Sequence, residues 1–120
     1  MSFLLDTDIC SAHLKGRGSL THKFLQHMGN LHVSAITVGE LYTWSSRATA
    51  PPQRLRGLLD FLKDLKFLDV TEAVARKFGE VRATLLDAGK PMPEMDLMIA
   101  ATALSNNLTL VTHNMSDYAN

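Results

Sequence analysis

The chain is 120 residues long, and 46% of it is apolar against 20% charged, so it is expected to fold as one domain around one core rather than stay disordered or form a coiled coil. Twelve Lys and Arg balance twelve Asp and Glu, which excludes a uniform positive field that would hold nucleic acid nonspecifically. Cys10 is the only cysteine, and the opening MSFLLDTDI lacks the basic start and long apolar run of a signal or membrane segment, so disulfides, thiolate-rich zinc sites and secretion are set aside and a cytoplasmic protein is expected.

Phe3, Leu4 and Leu5 form a short apolar run closed by Asp6 and read as a first strand. Asp8 then stands as the N-cap of a helix ending near Gly16 and Gly18. Residues 19–28 read as a second short helix, and the alternating, branched run LHVSAI at 31–36 as a second strand. A helix is predicted over 37–46, because Thr37-Val-Gly-Glu40 has the form of a capping box. Ala-Thr-Ala-Pro-Pro at 48–52 breaks it, and Leu55, Leu58, Leu59, Leu62 and Leu65 predict a helix over 52–65 with Pro52 in its first turn. A third strand is read at 67–70. Thr71 caps a long helix with Val74, Phe78, Val81 and Leu85 facing inward and Gly89 beyond its end. After a Pro-rich loop come an Ala-rich helix over 96–106, a fourth strand at 108–111 and a last turn from Asn114 to Asp117.

Strands separated by helical segments imply an α/β protein: a short parallel sheet of four or five strands flanked by helices as an α/β/α sandwich. In such sheets ligands sit at the carboxyl ends of the strands. Asp6 and Asp8 follow the first strand, Glu40 follows the second, and Asn114 and Asp117 follow the fourth. Asp96 joins them if the six-residue loop before it carries the chain back to that edge, a span within its reach of about 20 Å. Charge is distributed accordingly. Residues 15–66 carry eight basic side chains against three acidic ones, whereas residues 1–12 and 91–120 carry acids and no Lys or Arg. If the two ends meet, an acidic pocket lies beside a basic middle segment.

Taken singly, most of these acids have structural explanations: Asp8 as a cap, Glu40 as the return arm of its capping box, Asp96 as a first-turn acid, Asp117 as the partner of an Asn114 cap. Asp6 differs, because a carboxylate ending a buried apolar strand is costly to desolvate unless a cation or hydrogen-bond donors meet it. Several carboxylates at one edge repel one another unless a divalent cation sits among them, and an oxygen-only donor set suits Mg²⁺ or Mn²⁺. Such an ion activates water against a phosphodiester without a protein nucleophile.

LLDTDI at the first strand end, TVGEL after the second, MDLMIAATAL at the Ala-rich helix and VTHNMSDY near the C-terminus together resemble the four acidic motifs of PIN domains, and among these the VapC-type toxins of toxin–antitoxin pairs. The resemblance spans almost the whole chain in the right order, so residues 1–120 are expected to be a single PIN domain. It implies a Mg²⁺- or Mn²⁺-dependent endoribonuclease in which Asp6, Glu40, Asp96 and Asp117 bind metal, with Asp8, Thr112 and Asn114 supporting. It also implies an RNA substrate, a cognate antitoxin gripping the arm over residues 37–65, and a homodimer. His113 stands where the family often has Arg. Relatives usually continue beyond the position of Asn120 into a further short strand, so the C-terminal end is either truncated or the sheet edge is completed otherwise.

The five histidines show no metal-ligand spacing and are expected in surface or packing roles. Core packing is expected of Tyr42 and Trp44. Two other function classes fit parts of the sequence. Asp6 and Asp8 form the D-x-D of haloacid dehalogenase-like phosphatases, but residues 91–120 lack the Lys that family requires. A noncatalytic PIN-like binding module with a degenerate site is the other, and the intact acids argue against it.

Overall fold

A computed structural model describes residues 1–16 and 26–112. Among them are four strands, β1 (Phe3–Leu5), β2 (Leu31–Ser34), β3 (Lys66–Leu68) and β4 (Thr109–Val111), and five helices, α1 (Thr7–Leu14), α2 (Ala35–Ser46), α3 (Pro52–Leu62), α4 (Glu72–Asp87) and α5 (Glu94–Ser105). The strands form one parallel sheet in the order β3-β2-β1-β4, the α/β sandwich that the alternation of strands and helices predicts.

Successive strand residues point to opposite faces, and β1 feeds both halves of the core. On one face Leu5 packs with Leu31 and Val33 of β2 against Ile9 and Cys10 of α1, Leu41 of α2 and Leu58 of α3. On the other, Leu4 packs against Ile99 and Ala103 of α5. A strand covered on both sides has no polar face, which is why Phe-Leu-Leu is uninterrupted until Asp6.

The two ends of the chain meet at β1 and β4, paired from Phe3↔Thr109 to Leu5↔Val111. Helix α5 enters β4 through a tight closure in which Asn107 takes a left-handed φ of 54° and the Leu108 amide donates to Ala103 O at 2.9 Å. This closure turns the chain back on itself, so α5 runs against the strands and begins at their carboxyl edge.

Several boundaries differ from those predicted. Strand β2 stops at Ser34 because the Ser34 hydroxyl accepts from the Thr37 amide at 3.1 Å and caps α2 three residues earlier than Thr37 would. Glu40 therefore lies in the second turn, away from the unpaired amides, and the Thr37–Glu40 capping box does not form. Asp6, not Asp8, is the N-cap of α1. Helix α3 ends at Leu62 rather than residue 65, although Leu65 still packs on the core. Strand β3 covers 66–68 rather than 67–70, and as an edge strand it leaves Phe67 56% exposed. Helix α5 starts at Glu94 after Pro93, which places Asp96 third in the helix. The long helix is as read, with the Thr71 hydroxyl accepting from the Val74 amide at 3.2 Å and Gly89 at φ 70° after its end. Most of the helix expected over 19–28, and the turn from Asn114 to Asp117, lie outside the described residues.

Ser34 is fully buried, and its hydroxyl accepts from the Thr37 amide, one of the amides at the helix start that has no intrahelical partner. Ser34→Ala should lower unfolding stability by about 1–2 kcal/mol in a urea titration; an unchanged midpoint would show that the cap is dispensable.

Candidate active site

The site is built on the end of β1. The Asp6 amide donates to Val111 O at 2.9 Å, extending the β1–β4 ladder one residue past the strand, and Asp6 itself is only 4% exposed. Both of its carboxylate oxygens are engaged. Oδ1 accepts from the Thr7 amide at 2.7 Å as the cap of α1, and Oδ2 accepts from the Thr112 hydroxyl at 2.7 Å. The same Thr112 oxygen lies 3.2 and 3.1 Å from the two carboxylate oxygens of Asp8. A hydroxyl has one proton to give, so Asp6 and Asp8 share it.

Glu40 reaches the same edge from α2. Its Oε1 accepts from the Thr7 hydroxyl at 2.7 Å, and that hydroxyl oxygen lies 3.0 Å from the hydroxyl of Thr37. Asp96, half-buried in the first turn of α5, is one turn ahead of Ile99, which packs on Leu4 of β1. Asp6, Asp8, Glu40 and Thr112 are thus linked through hydroxyls, and Asp96 stands on the helix end facing their edge. Asp117 and Asn114 lie outside the described residues. Thr7 was missed by sequence reasoning; its signal was its place between two aspartates, a hydroxyl and an amide flanked by carboxylates.

Charge at this edge is negative, and among the described residues no lysine or arginine pairs with Asp8 or Glu40. Ion pairs among the described residues include Lys63–Asp60, Arg76–Glu72 and Arg82–Glu94, all on exposed helix surfaces where such pairs contribute little. The buried Cys10 thiol registers this field: burial first, and then the charges of Asp6 and Asp8, push its pKa far above the usual thiol range. His13 is shifted the other way, its pKa lowered by burial beside Phe61. His27 packs edge-on to Phe3, and His32 Nδ1 lies 3.3 Å from Phe3 O, packing roles of the kind expected.

Among the described residues no three His, Cys, Asp or Glu side chains are close enough to form a metal cluster. The chemistry of the edge still fits a hard cation. Its donors are all oxygen, and Mg²⁺ is typically held by one or two carboxylates with several retained waters. Asp6, Glu40 and Asp96 are the described residues that would hold it, with Asp8 beside them.

Fold and edge together define a parallel α/β protein with an acidic, oxygen-donor site at the carboxyl ends of its strands. Residues 3–116 match the sequence model of the PIN domain. The chain is 35% identical over 119 residues to Ribonuclease VapC2 of Haemophilus influenzae, and 31% identical over 119 residues to the tRNA(fMet)-specific endonuclease VapC of Shigella flexneri; each alignment covers 98% of this chain and 90% of the relative. The DNA-bound VapBC of Salmonella typhimurium superposes with a TM-score of 0.95 at 30% identity, over 100% of this chain and 92% of the other. VapBC2 of Rickettsia felis bound to a promoter DNA fragment superposes at 0.90 and 29% identity, over 99% and 92%. The chain belongs to the PIN-domain family, in its VapC ribonuclease branch. Nucleases of this branch are generally divalent-metal dependent. Membership supersedes the phosphatase alternative suggested by Asp6 and Asp8. No described helix is long and apolar enough to cross a membrane.

A thiol that is buried and held protonated by neighbouring carboxylates is a poor nucleophile. Native protein should not react with Ellman's reagent in mildly alkaline buffer, and should release one equivalent per chain once unfolded in guanidinium. Rapid labelling of the native protein would contradict the burial and charge assigned to Cys10.

Proposed function

We propose that the chain is an endoribonuclease dependent on Mg²⁺ or Mn²⁺, acting in the cytoplasm as the toxin of a toxin–antitoxin pair. The observation that carries this reading is the buried Asp6 carboxylate at the end of the central strand, sharing the Thr112 proton with Asp8 and joined through Thr7 to Glu40. Asp6, Glu40, Asp96 and Asp117 are the proposed metal ligands and catalytic acids, and Asp8, Thr112 and Asn114 support them. The ion, when bound, supplies an activated water and stabilises charge on the scissile phosphate. The protein contributes fixed geometry: Asp6 is locked by donors on both oxygens and Glu40 is held by a hydroxyl. The acids alone repel a phosphate backbone, so substrate is expected to approach only the metal-loaded edge, steered by exposed cations of the middle segment such as Arg47 and Arg56.

The antitoxin is proposed to dock on the arm over residues 37–65. Tyr42, Leu55 and Leu59 are exposed there at 38, 42 and 43%, in contrast to the core role expected of Tyr42, and they offer an apolar strip to a partner helix. Trp44 anchors the arm itself: the Arg54 guanidinium lies 5.1 Å from its ring centre and donates to its carbonyl at 3.3 Å. An Arg from the antitoxin reaching the carboxylates would complete the inhibition. A homodimer is expected from the family. Initiator tRNA is the first substrate to assay, because the Shigella flexneri relative is a tRNA(fMet)-specific endonuclease.

Purified protein should cleave RNA in Mn²⁺ and not in EDTA. Asp6→Asn or Asp96→Asn should reduce cleavage by more than about 100-fold, beyond what loss of a supporting residue usually costs a metal site. Cleavage by Asp96→Asn at near the wild-type rate would sink the assignment of the acids.

A further inference from the structure

The hydrogen bonds around Thr7 have a direction. Its hydroxyl proton goes to Glu40 Oε1 at 2.7 Å, because a carboxylate only accepts. The 3.0 Å contact between the Thr7 and Thr37 hydroxyls must then run from Thr37 to Thr7. Thr37 is fully buried, and its amide is tied to the Ser34 cap, so the head of this chain is fixed by the start of α2. The Thr7 amide meanwhile donates to Asp6 Oδ1 at 2.7 Å. One residue therefore holds a carboxylate on the end of β1 with its backbone and a carboxylate on α2 with its side chain.

We propose that Thr7 is a positioning residue that sets Glu40 relative to Asp6 for metal binding, with Thr37 orienting its hydroxyl. The inference rests on the reading of Asp6 and Glu40 as metal ligands. Without the Thr7 hydroxyl, Glu40 is a long, half-buried side chain with several rotamers, and holding it in one costs entropy each time a cation binds. With the hydroxyl in place, one oxygen of Glu40 is spoken for and the other is presented in a fixed orientation. Valine keeps the branched shape of threonine and removes only the donor, and serine keeps the donor and removes only the methyl.

Two measurements on the purified full chain test this. Titration of Mn²⁺ alone, followed by calorimetry, should show Thr7→Val binding about 10-fold or more weakly than wild type, as for other residues that orient metal ligands, with Thr7→Ser within about twofold of wild type. Urea unfolding in EDTA of Thr7→Val, Glu40→Ala and the double variant should be non-additive by a factor of about five or more in the unfolding constant. Additivity in that cycle overturns the proposal whatever the metal does. If wild type binds Mn²⁺ and a folded Thr7→Val protein binds it equally, the proposal alone is overturned. Wild-type protein with no affinity for Mn²⁺ overturns the metal-site reading itself, and the proposal with it.

Discussion

A carboxylate at the end of a strand buried on both faces cannot be left to itself. Removing an ionised group from water costs several kcal/mol unless donors or a counter-charge replace the hydration shell. Among the described residues, Asp6 meets this demand with hydrogen bonds on both oxygens, one from the amide that follows it and one from a hydroxyl 106 residues away. The first requires that the strand turn at once into α1. The second requires that β4 lie beside β1 and end level with it. Strand order, the start of α1 and the meeting of the chain ends all serve the satisfaction of this one group.

The same arrangement couples function to folding. Asp6, Thr7 and Asp8 are contiguous, but Glu40 and Thr112 reach them only across sequence separations of 33 residues for Thr7 to Glu40 and 104 for Asp8 to Thr112. Contacts of such range form after the chain has met the entropy of closing long loops. The acidic edge is therefore assembled only when β2 and β4 have both docked on β1, and a partly folded chain does not carry it. The cluster also places negative charges side by side around a single shared proton, an arrangement that favours a cation in the finished structure.

Much of this was legible in the sequence because the signals were physical and local. Phe-Leu-Leu-Asp can only be a buried strand that ends abruptly, Thr71 and Gly89 bracket a periodic helix, and the opposed charges of middle and ends anticipate an acidic edge. The acids themselves stood out because each followed a strand or opened a helix. What was misread turned on competition between neighbouring hydroxyls. Ser34 and Thr37 are both good caps three residues apart, and only the packing of β2 decides that Ser34 wins. That choice moves Glu40 from a capping role to the site. Thr7 was passed over for a similar reason: its importance lies in a contact with α2 that no local pattern announces. Tyr42 was read inward on apolar character alone, whereas an outer helix face leaves it exposed.

The central claim is that these carboxylates are gathered for a cation and not merely to cap helices. Thermal unfolding of wild type and Asp6→Asn, each in EDTA and in millimolar Mn²⁺, tests it most directly. A bound ion stabilises the folded state by RT ln(1 + [L]/Kd), about 2.7 kcal/mol when the ion is at 100 times its dissociation constant. Wild type should melt at a clearly higher temperature in Mn²⁺ than in EDTA, and Asp6→Asn should lose that shift. A wild-type protein that melts identically in both buffers, or an Asp6→Asn protein that gains as much from Mn²⁺ as wild type, would contradict it.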